Sequence, residues 1–247
     1  MNLALSDQIY RSEHRFTQKM SRQQSSEVDC MELRILYDNE AKTGFKKGWG
    51  FSCLVGDRFL FDTGADVNTL LFNMNRFHVK FERIDNVVLS HEHGDHVGGF
   101  QILRKLGKVE VCVPRSFSSQ FKRRLASYPN VNLTEVSEAR EISERFFTTG
   151  ELGSTIREQS LIVETDNRLT VVAGCSHPGL ENILDKASQF GEIYGVVGGF
   201  HGFSRLEALK GVSLIVPCHC TTRKREILRA YSRSSEKCAA GCIIQIP

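Results

Sequence analysis

The sequence predicts an α/β domain. Short apolar runs alternate with amphipathic segments along most of the chain, the C-terminal third repeats strand–loop–helix three times, and histidines cluster in the loops that follow strands. A length of 247 residues suits one large domain with a sizeable core better than two small ones.

The elements follow in order. Residues 1–30 are polar and charged, with Gln23, Gln24, Ser25 and Ser26 near the end, and are expected to form a loosely attached or disordered extension ahead of a domain spanning 31–247. Leu33–Tyr37 reads as the opening strand. Phe51–Val55 and Phe59–Phe61 read as a hairpin turning at Gly56–Asp57. Asn86–Ser90 is an apolar run that ends in a polar loop. The three-residue spacing of Val97, Phe100, Leu103 and Leu106 predicts a helix. Val109–Val113 is a further strand and Ser116–Tyr128 a basic helix. Leu161–Glu164 and Leu169–Ala173 pair around the turn Thr165–Arg168.

Three strand–loop–helix units come next. Leu169–Ala173 leads through Gly174–His177 into a helix with Pro178 in its first turn, a favoured place for proline. Ile193–Val197 leads through Gly198–Phe203 into a helix whose Ser204 and Glu207 form a capping-box pattern. Leu214–Val216 leads through Pro217–Cys220 into a helix expected to start near Thr221 as its cap. Cys242–Ile246 is the last strand.

Composition excludes several classes. The net charge of +3, from 32 Lys+Arg against 29 Asp+Glu, is too small to argue for a nucleic-acid partner. No apolar run reaches the ~18–20 residues that span a bilayer. The N-terminus lacks the apolar stretch of a secretory leader. Without such a leader, the eight cysteines read as free thiols of a reducing cytoplasm rather than a disulfide set or a zinc finger.

The chemistry concentrates in the histidines. Of eight, only His14 and His78 fall outside the strand-end loops. Carboxyl ends of strands are where α/β sites gather. In His91-Glu92-His93-Gly94-Asp95-His96, alternate residues of an extended loop point the same way, so His91 and His93 can grip one metal. Asp95 and His96 then turn toward a second position. Three imidazoles and a carboxylate suit zinc, iron or manganese.

The stretch Leu89-Ser90-His91-Glu92-His93-Gly94-Asp95-His96-Val97-Gly98-Gly99 resembles the signature of the metallo-β-lactamase superfamily, and Phe61-Asp62-Thr63-Gly64 resembles its first motif. The resemblance implies a four-layer αβ/βα sandwich of two mixed sheets with helices outside and the site at the sandwich edge. It implies two divalent cations, zinc before iron or manganese. It also implies that Asp62 supports a ligand through hydrogen bonds. Gly174-Cys175-Ser176-His177-Pro178-Gly179, Gly198-Gly199-Phe200-His201 and Pro217-Cys218-His219-Cys220-Thr221 are similar to a subgroup that includes pterin-condensing enzymes of methanopterin biosynthesis, which join a dihydropterin methyl pyrophosphate to a ribofuranosyl-aminobenzene phosphate.

The sequence departs from the wider superfamily at one point. Where a lone histidine and then a bridging aspartate are expected, this chain has Gly174-Cys175 followed by His177, and no histidine lies between His96 and His177. His177 completes the first position, or Cys175 takes the bridging one, or both bind. Glu158 could stand in for the missing ligand, but a surface carboxylate is the expectation. His219 is the expected last ligand of the second position. His201 is expected to act on substrate, as general acid to a leaving group. Arg223, Lys224 and Arg225 at a helix start favour a small anionic, phosphate-bearing substrate. Three readings follow: a metal-dependent hydrolase, a pterin-condensing transferase, and a ligand-binding sensor on the same fold.

Overall fold

The computed structural model describes residues 30–247, so the predicted N-terminal extension lies outside the described residues apart from Cys30. One sheet contains β1 (Met31–Tyr37), β2 (Ser52–Val55), β3 (Phe59–Phe61), β4 (Asn86–Val88), β5 (Val109–Pro114) and β6 (Val131–Val136). The other contains β7 (Arg140–Ser143), β8 (Phe146–Thr148), β9 (Leu161–Thr165), β10 (Arg168–Ala173), β11 (Glu192–Gly199) and β12 (Leu214–Cys218). The chain returns as β13 (Ile243–Ile246) to pair antiparallel with β1. The strand orders are β13-β1-β2-β3-β4-β5-β6 and β12-β11-β10-β9-β8-β7. β3 through β6 run parallel, as do β10 through β12, and the remaining pairs are antiparallel.

Strand alternation builds the layers. Phe59 and Phe61 join the core between the sheets, while Leu60 faces the helices. Val172, Val197 and Val216 point into the same inter-sheet core, and Val171, Val196 and Ile215 point outward under the second helical layer. Both faces of these strands are buried, which is why their sequences read as continuous apolar runs. Phe59 and Phe146 stack across the two sheets at 3.7 Å between ring centroids. The first outer layer carries α1 (Val67–Arg76), α2 (Gly94–Val97) and α3 (Ser119–Ala126), and the second carries α4 (Leu180–Ala187) and α5 (Lys224–Ala230). This is the four-layer sandwich. Among the described residues no helix is long and apolar enough to cross a membrane.

Four local expectations are corrected. The helix expected from Val97 to Leu106 is one α-turn followed by a 3-10 stretch, Phe100–Lys105. Gly98 and Gly99 press against the carbonyls of Ala65 and Thr63, where a Cβ would sit 2.1 and 2.3 Å away, and this packing overrides the helical spacing. The Ser204–Glu207 capping box gives only a 3-10 turn, Leu206–Leu209. Thr221 does not cap α5. Its hydroxyl donates to the Cys218 carbonyl and accepts from Phe200 N, and Arg223 occupies the cap position without a side-chain bond. Finally, Cys218 and Cys238 are joined in a disulfide, with Cα atoms 5.1 Å apart, and the other six cysteines are free. Spacing along the chain could not show that the end of β12 meets the segment before β13.

Candidate metal centre

The C-terminal ends of the parallel strands in both sheets meet at one edge. The loop after β3 brings Asp62, the loop after β4 brings His91 through His96, and the loops after β10, β11 and β12 bring Cys175 and His177, His201, and His219.

Asp62 organises the first half. It is fully buried, and its carboxylate accepts from Ser90 N at 2.7 Å, Ser90 Oγ at 2.7 Å and His96 Nδ1 at 2.7 Å. Ser90 spends its one hydroxyl proton on Asp62, so its oxygen accepts from His91 Nδ1 at 2.8 Å. Burial pushes the Asp62 carboxyl up to about 7, against the opposing pull of His91 and Ser90. Burial, reinforced by neighbouring imidazoles, pushes His91 and His96 down to about 3, so both rings are neutral near pH 7.

Glu158 organises the second half. The sequence placed it on the surface, but the structure buries it. Its carboxylate accepts from the backbone N–H groups of Cys175 (2.8 Å), Ser176 (2.9 Å) and His177 (3.0 Å) and from His177 Nδ1 (2.9 Å). Burial opposes its ionisation, but the His177 bond, the electrostatic pull of the His91 ring and the backbone donors outweigh it and hold Glu158 down to about 2. His219 is fixed by Asn39, whose Oδ1 takes the Nδ1 proton at 2.9 Å, and by Asp38, which accepts from His219 N at 2.6 Å. No local pattern announces Glu158, Asp38 or Asn39, because each acts on a loop distant in sequence.

With Nδ1 committed, His91, His96, His177 and His219 all present a bare Nε2 lone pair to the cluster. Four overlapping donor sets result, one of them Cys175 with His219 and Cys220. His91, His93 and His177 converge, with His91 Nε2 3.1 Å from His93 Nδ1. Asp95, His96 and His219 converge, with Asp95 Oδ2 3.2 Å from His219 Nε2 and 3.9 Å from His96 Nε2. Cys175 lies between them, its Sγ 3.1 Å from His96 Nε2 and grouped with His91 and His96. Of the alternatives left open by the sequence, the structure brings both Cys175 and His177 into the cluster. The donor set fits divalent cations: a carboxylate facing a lone-pair nitrogen at 3.2 Å is an arrangement that a shared cation satisfies. Burial opposes ionisation of Asp95, yet the bond to His219 and the electrostatic pull of the His96 ring hold it below the usual carboxylate range. The Cys175 thiol is pushed up, first by its contact with Cys220 and then by burial. Cys220, read from the sequence as a free thiol rather than a zinc-finger ligand, has its Sγ 3.3 Å from that of Cys175.

The residues expected to touch substrate lie at the rim. His201 is exposed, in a left-handed conformation (φ 42°), with its ring 5.1 Å from that of His177. It lines a cleft of about 270 Å³ with His177 and Ser204. Arg223 and Lys224 line a second cleft of about 520 Å³ with His219 and Asn39. Arg223 pairs with Glu226 at 2.8 Å and Lys224 with Glu40 at 3.4 Å, so the basic stretch is partly neutralised. Trp49, the only tryptophan in the chain, is exposed and packs edge-on to His219 at 5.0 Å.

A family model described as a β-lactamase superfamily domain matches residues 57–170. A 7,8-dihydropterin-6-methyl-4-(β-D-ribofuranosyl)-aminobenzene-5′-phosphate synthase of Methanocaldococcus jannaschii is 30% identical over 248 residues, covering 76% of this chain and 84% of its own. Among solved structures, Tm1679, a metal-dependent hydrolase of the β-lactamase superfamily, superposes with a TM-score of 0.72 at 28% identity, over 87% of this chain and 99% of that one. The metallo-β-lactamase fold protein YhfI from Bacillus subtilis superposes with a TM-score of 0.66 over 88% of this chain and 100% of its own, and at 14% identity it bears on the fold alone. Sequence motifs, fold, donor cluster and relatives agree: the chain belongs to the metallo-β-lactamase superfamily of metal-dependent hydrolases.

Proposed function

We propose that the protein is a dinuclear metal-dependent hydrolase of a small, phosphate-bearing substrate. The observation that carries this reading is the pair of donor triads, His91-His93-His177 and Asp95-His96-His219, with Cys175 grouped beside His91 and His96. His91, His93 and His177 would hold one cation, Asp95, His96 and His219 the other, and Cys175 would lie between them. Mixed nitrogen, oxygen and sulfur donors suit zinc best, with iron or manganese as alternatives. When bound, such cations supply Lewis acidity, lowering the pKa of water and neutralising charge on an oxyanion.

The chain's own residues do the rest. Asp62, Glu158 and Asn39 fix the tautomers of His96, His177 and His219, so these Nε2 atoms are aimed before metal arrives. Arg223 and Lys224 offer cations to a phosphate beside His219; releasing exposed partners such as Glu226 costs about 1 kcal/mol or less. His201 stands on the His177 side, where its imidazole can give a proton to the leaving-group oxygen.

The test is metal analysis of the purified protein beside a screen of phosphate mono- and diesters. Asp95→Ala is expected to lower bound metal toward one per chain and to abolish hydrolysis. Two metals with normal turnover in that variant would remove the dinuclear reading.

A second reading has specific support in the 30% identical relative, whose name is that of a synthase. In that reaction the same residues would hold a pyrophosphate leaving group while an external nucleophile attacks. Pyrophosphate release that needs two substrates together would favour the transferase, and release of phosphate from one substrate the hydrolase.

A further inference from the structure

Cys220 is not needed to complete either triad, yet its sulfur is held against the sulfur of Cys175. Sγ of Cys220 lies 3.3 Å from Sγ of Cys175. The two residues belong to different loops, one following β10 and one following β12, with β11 between those strands. They meet because Gly199, at the end of β11, has no side chain. A Cβ there would stand 2.8 Å from the Cys220 sulfur and 3.3 Å from the Cys175 Cα. Gly199 N donates to Gly174 O at 3.1 Å, which locks that backbone in place. Cys175 is buried and Cys220 is half-buried, so Cys220 is the residue of the pair nearer to solvent. Cys53, Cys112 and Cys242 are also buried, and Cys30 is exposed.

We propose that Cys175 and Cys220 form an oxidisable dithiol, a modification site that takes peroxide and closes into a disulfide, removing the sulfur donor between the two metal positions. A disulfide requires the sulfurs to close from 3.3 Å to about 2.05 Å, a movement of little more than 1 Å shared by two loops. The chemistry balances with hydrogen peroxide as oxidant. The Cys220 sulfur attacks one peroxide oxygen, the O–O bond breaks, and Cys220 becomes a sulfenic acid with release of one water. The Cys175 sulfur then displaces the sulfenic oxygen as a second water, and the S–S bond forms. Two thiols lose two electrons and two protons, and one peroxide becomes two waters. Oxidised Cys175 has no lone thiolate to offer a cation, so metal binding and oxidation compete for the same sulfur.

Formation of the bond requires only the two sulfurs, whereas its effect on zinc uptake rests on the two-metal reading proposed above. The experiment treats the full chain, metal-free and zinc-loaded, with hydrogen peroxide, blocks remaining thiols with iodoacetamide, and maps peptides by mass. In the metal-free protein the expected product is a cross-linked peptide pair containing Cys175 and Cys220, two hydrogens lighter than the reduced pair and restored by dithiothreitol. Oxidised protein should then take up at least ten-fold less zinc than reduced protein. Zinc-loaded protein should form the bond more slowly than metal-free protein. Cys220→Ser is expected to form no such bond and to keep its zinc uptake after the same peroxide dose. Alkylation of Cys220 that peroxide leaves unchanged would overturn the proposal, as would conversion of Cys220 to sulfinic acid without a bond to Cys175. Loss of zinc uptake in Cys220→Ser as large as in the parent protein would overturn it too.

Discussion

The two halves of the centre are built in opposite ways. In the first sheet a single six-residue stretch after β4 carries His91, His93, Asp95 and His96, and one buried carboxylate, Asp62, ties it down. In the second sheet the donors come from separate loops, Cys175 and His177 after β10 and His219 after β12, and a buried carboxylate from before β9, Glu158, gathers the first of these loops by accepting three consecutive backbone N–H groups. The first half is local and reads as a motif. The second is tertiary, and its integrity rests on a residue outside both donor triads.

The comparison can be broken most directly at the two carboxylates. Glu158→Ala should have the largest effect, because it leaves three buried N–H groups and His177 without their partner. A loss of about 3–5 kcal/mol is expected for removing one side of a buried charged network, read as a fall in melting temperature with loss of bound metal. Asp62→Ala should cost less, about 2–3 kcal/mol, since it strands one N–H, one hydroxyl and one imidazole. If Asp62→Ala proves the more damaging, the first half is not the self-sufficient one.

Acid titration sharpens the same contrast. Glu158 is held down to about 2 in the folded chain, below the ~4.3 of an ordinary glutamate. A depressed carboxylate adds stability that is fully present above its unfolded value and is lost as pH falls through the folded one. Its contribution should therefore fade between about pH 5 and pH 2. Denaturant melts of Glu158→Gln against the parent protein should differ most near pH 7 and converge toward pH 2. A difference that stays constant across this range would mean that Glu158 acts through shape rather than charge.

Smaller effects belong to the rim. His201→Ala is expected to retain both metals and its melting temperature while losing on the order of 10²–10⁴ in rate on substrates with poor leaving groups, and less on good ones. Loss of metal in this variant would make His201 a ligand. The smallest change expected is in Arg223→Ala, where KM for a phosphate substrate rises a few-fold with kcat unchanged, because the residue is exposed and shared with Glu226. Steady-state kinetics on one phosphate ester checks both.

Much of this was legible beforehand. The β2–β3 hairpin, the strand–loop sequence from β10 to β12 and the cluster His91 to His96 are all visible as apolar periodicity or close spacing. No clear apolar period marks the helix α1 or the strands β6 to β8 along the sequence. α1 starts at Asp66, which caps it by accepting from Asn68 N and Thr69 N, but its buried face holds only Leu70, Asn73 and Met74. The strands are short and partly exposed, so neither gives a strong period.

The sequence by itself determined the family, the layered α/β architecture and one half of the centre, because those depend on interactions among residues a few positions apart. Tertiary structure alone decided that Cys175 and His177 both enter the cluster, that Glu158 is buried rather than solvated, that Cys218 meets Cys238, and that Cys220 lies against Cys175. Each of these is a meeting of loops tens of residues apart, fixed by sheet order and by the space left where Gly199 has no side chain. Such contacts leave no periodic trace along the chain, since the packing that enforces them exists only once both sheets are stacked.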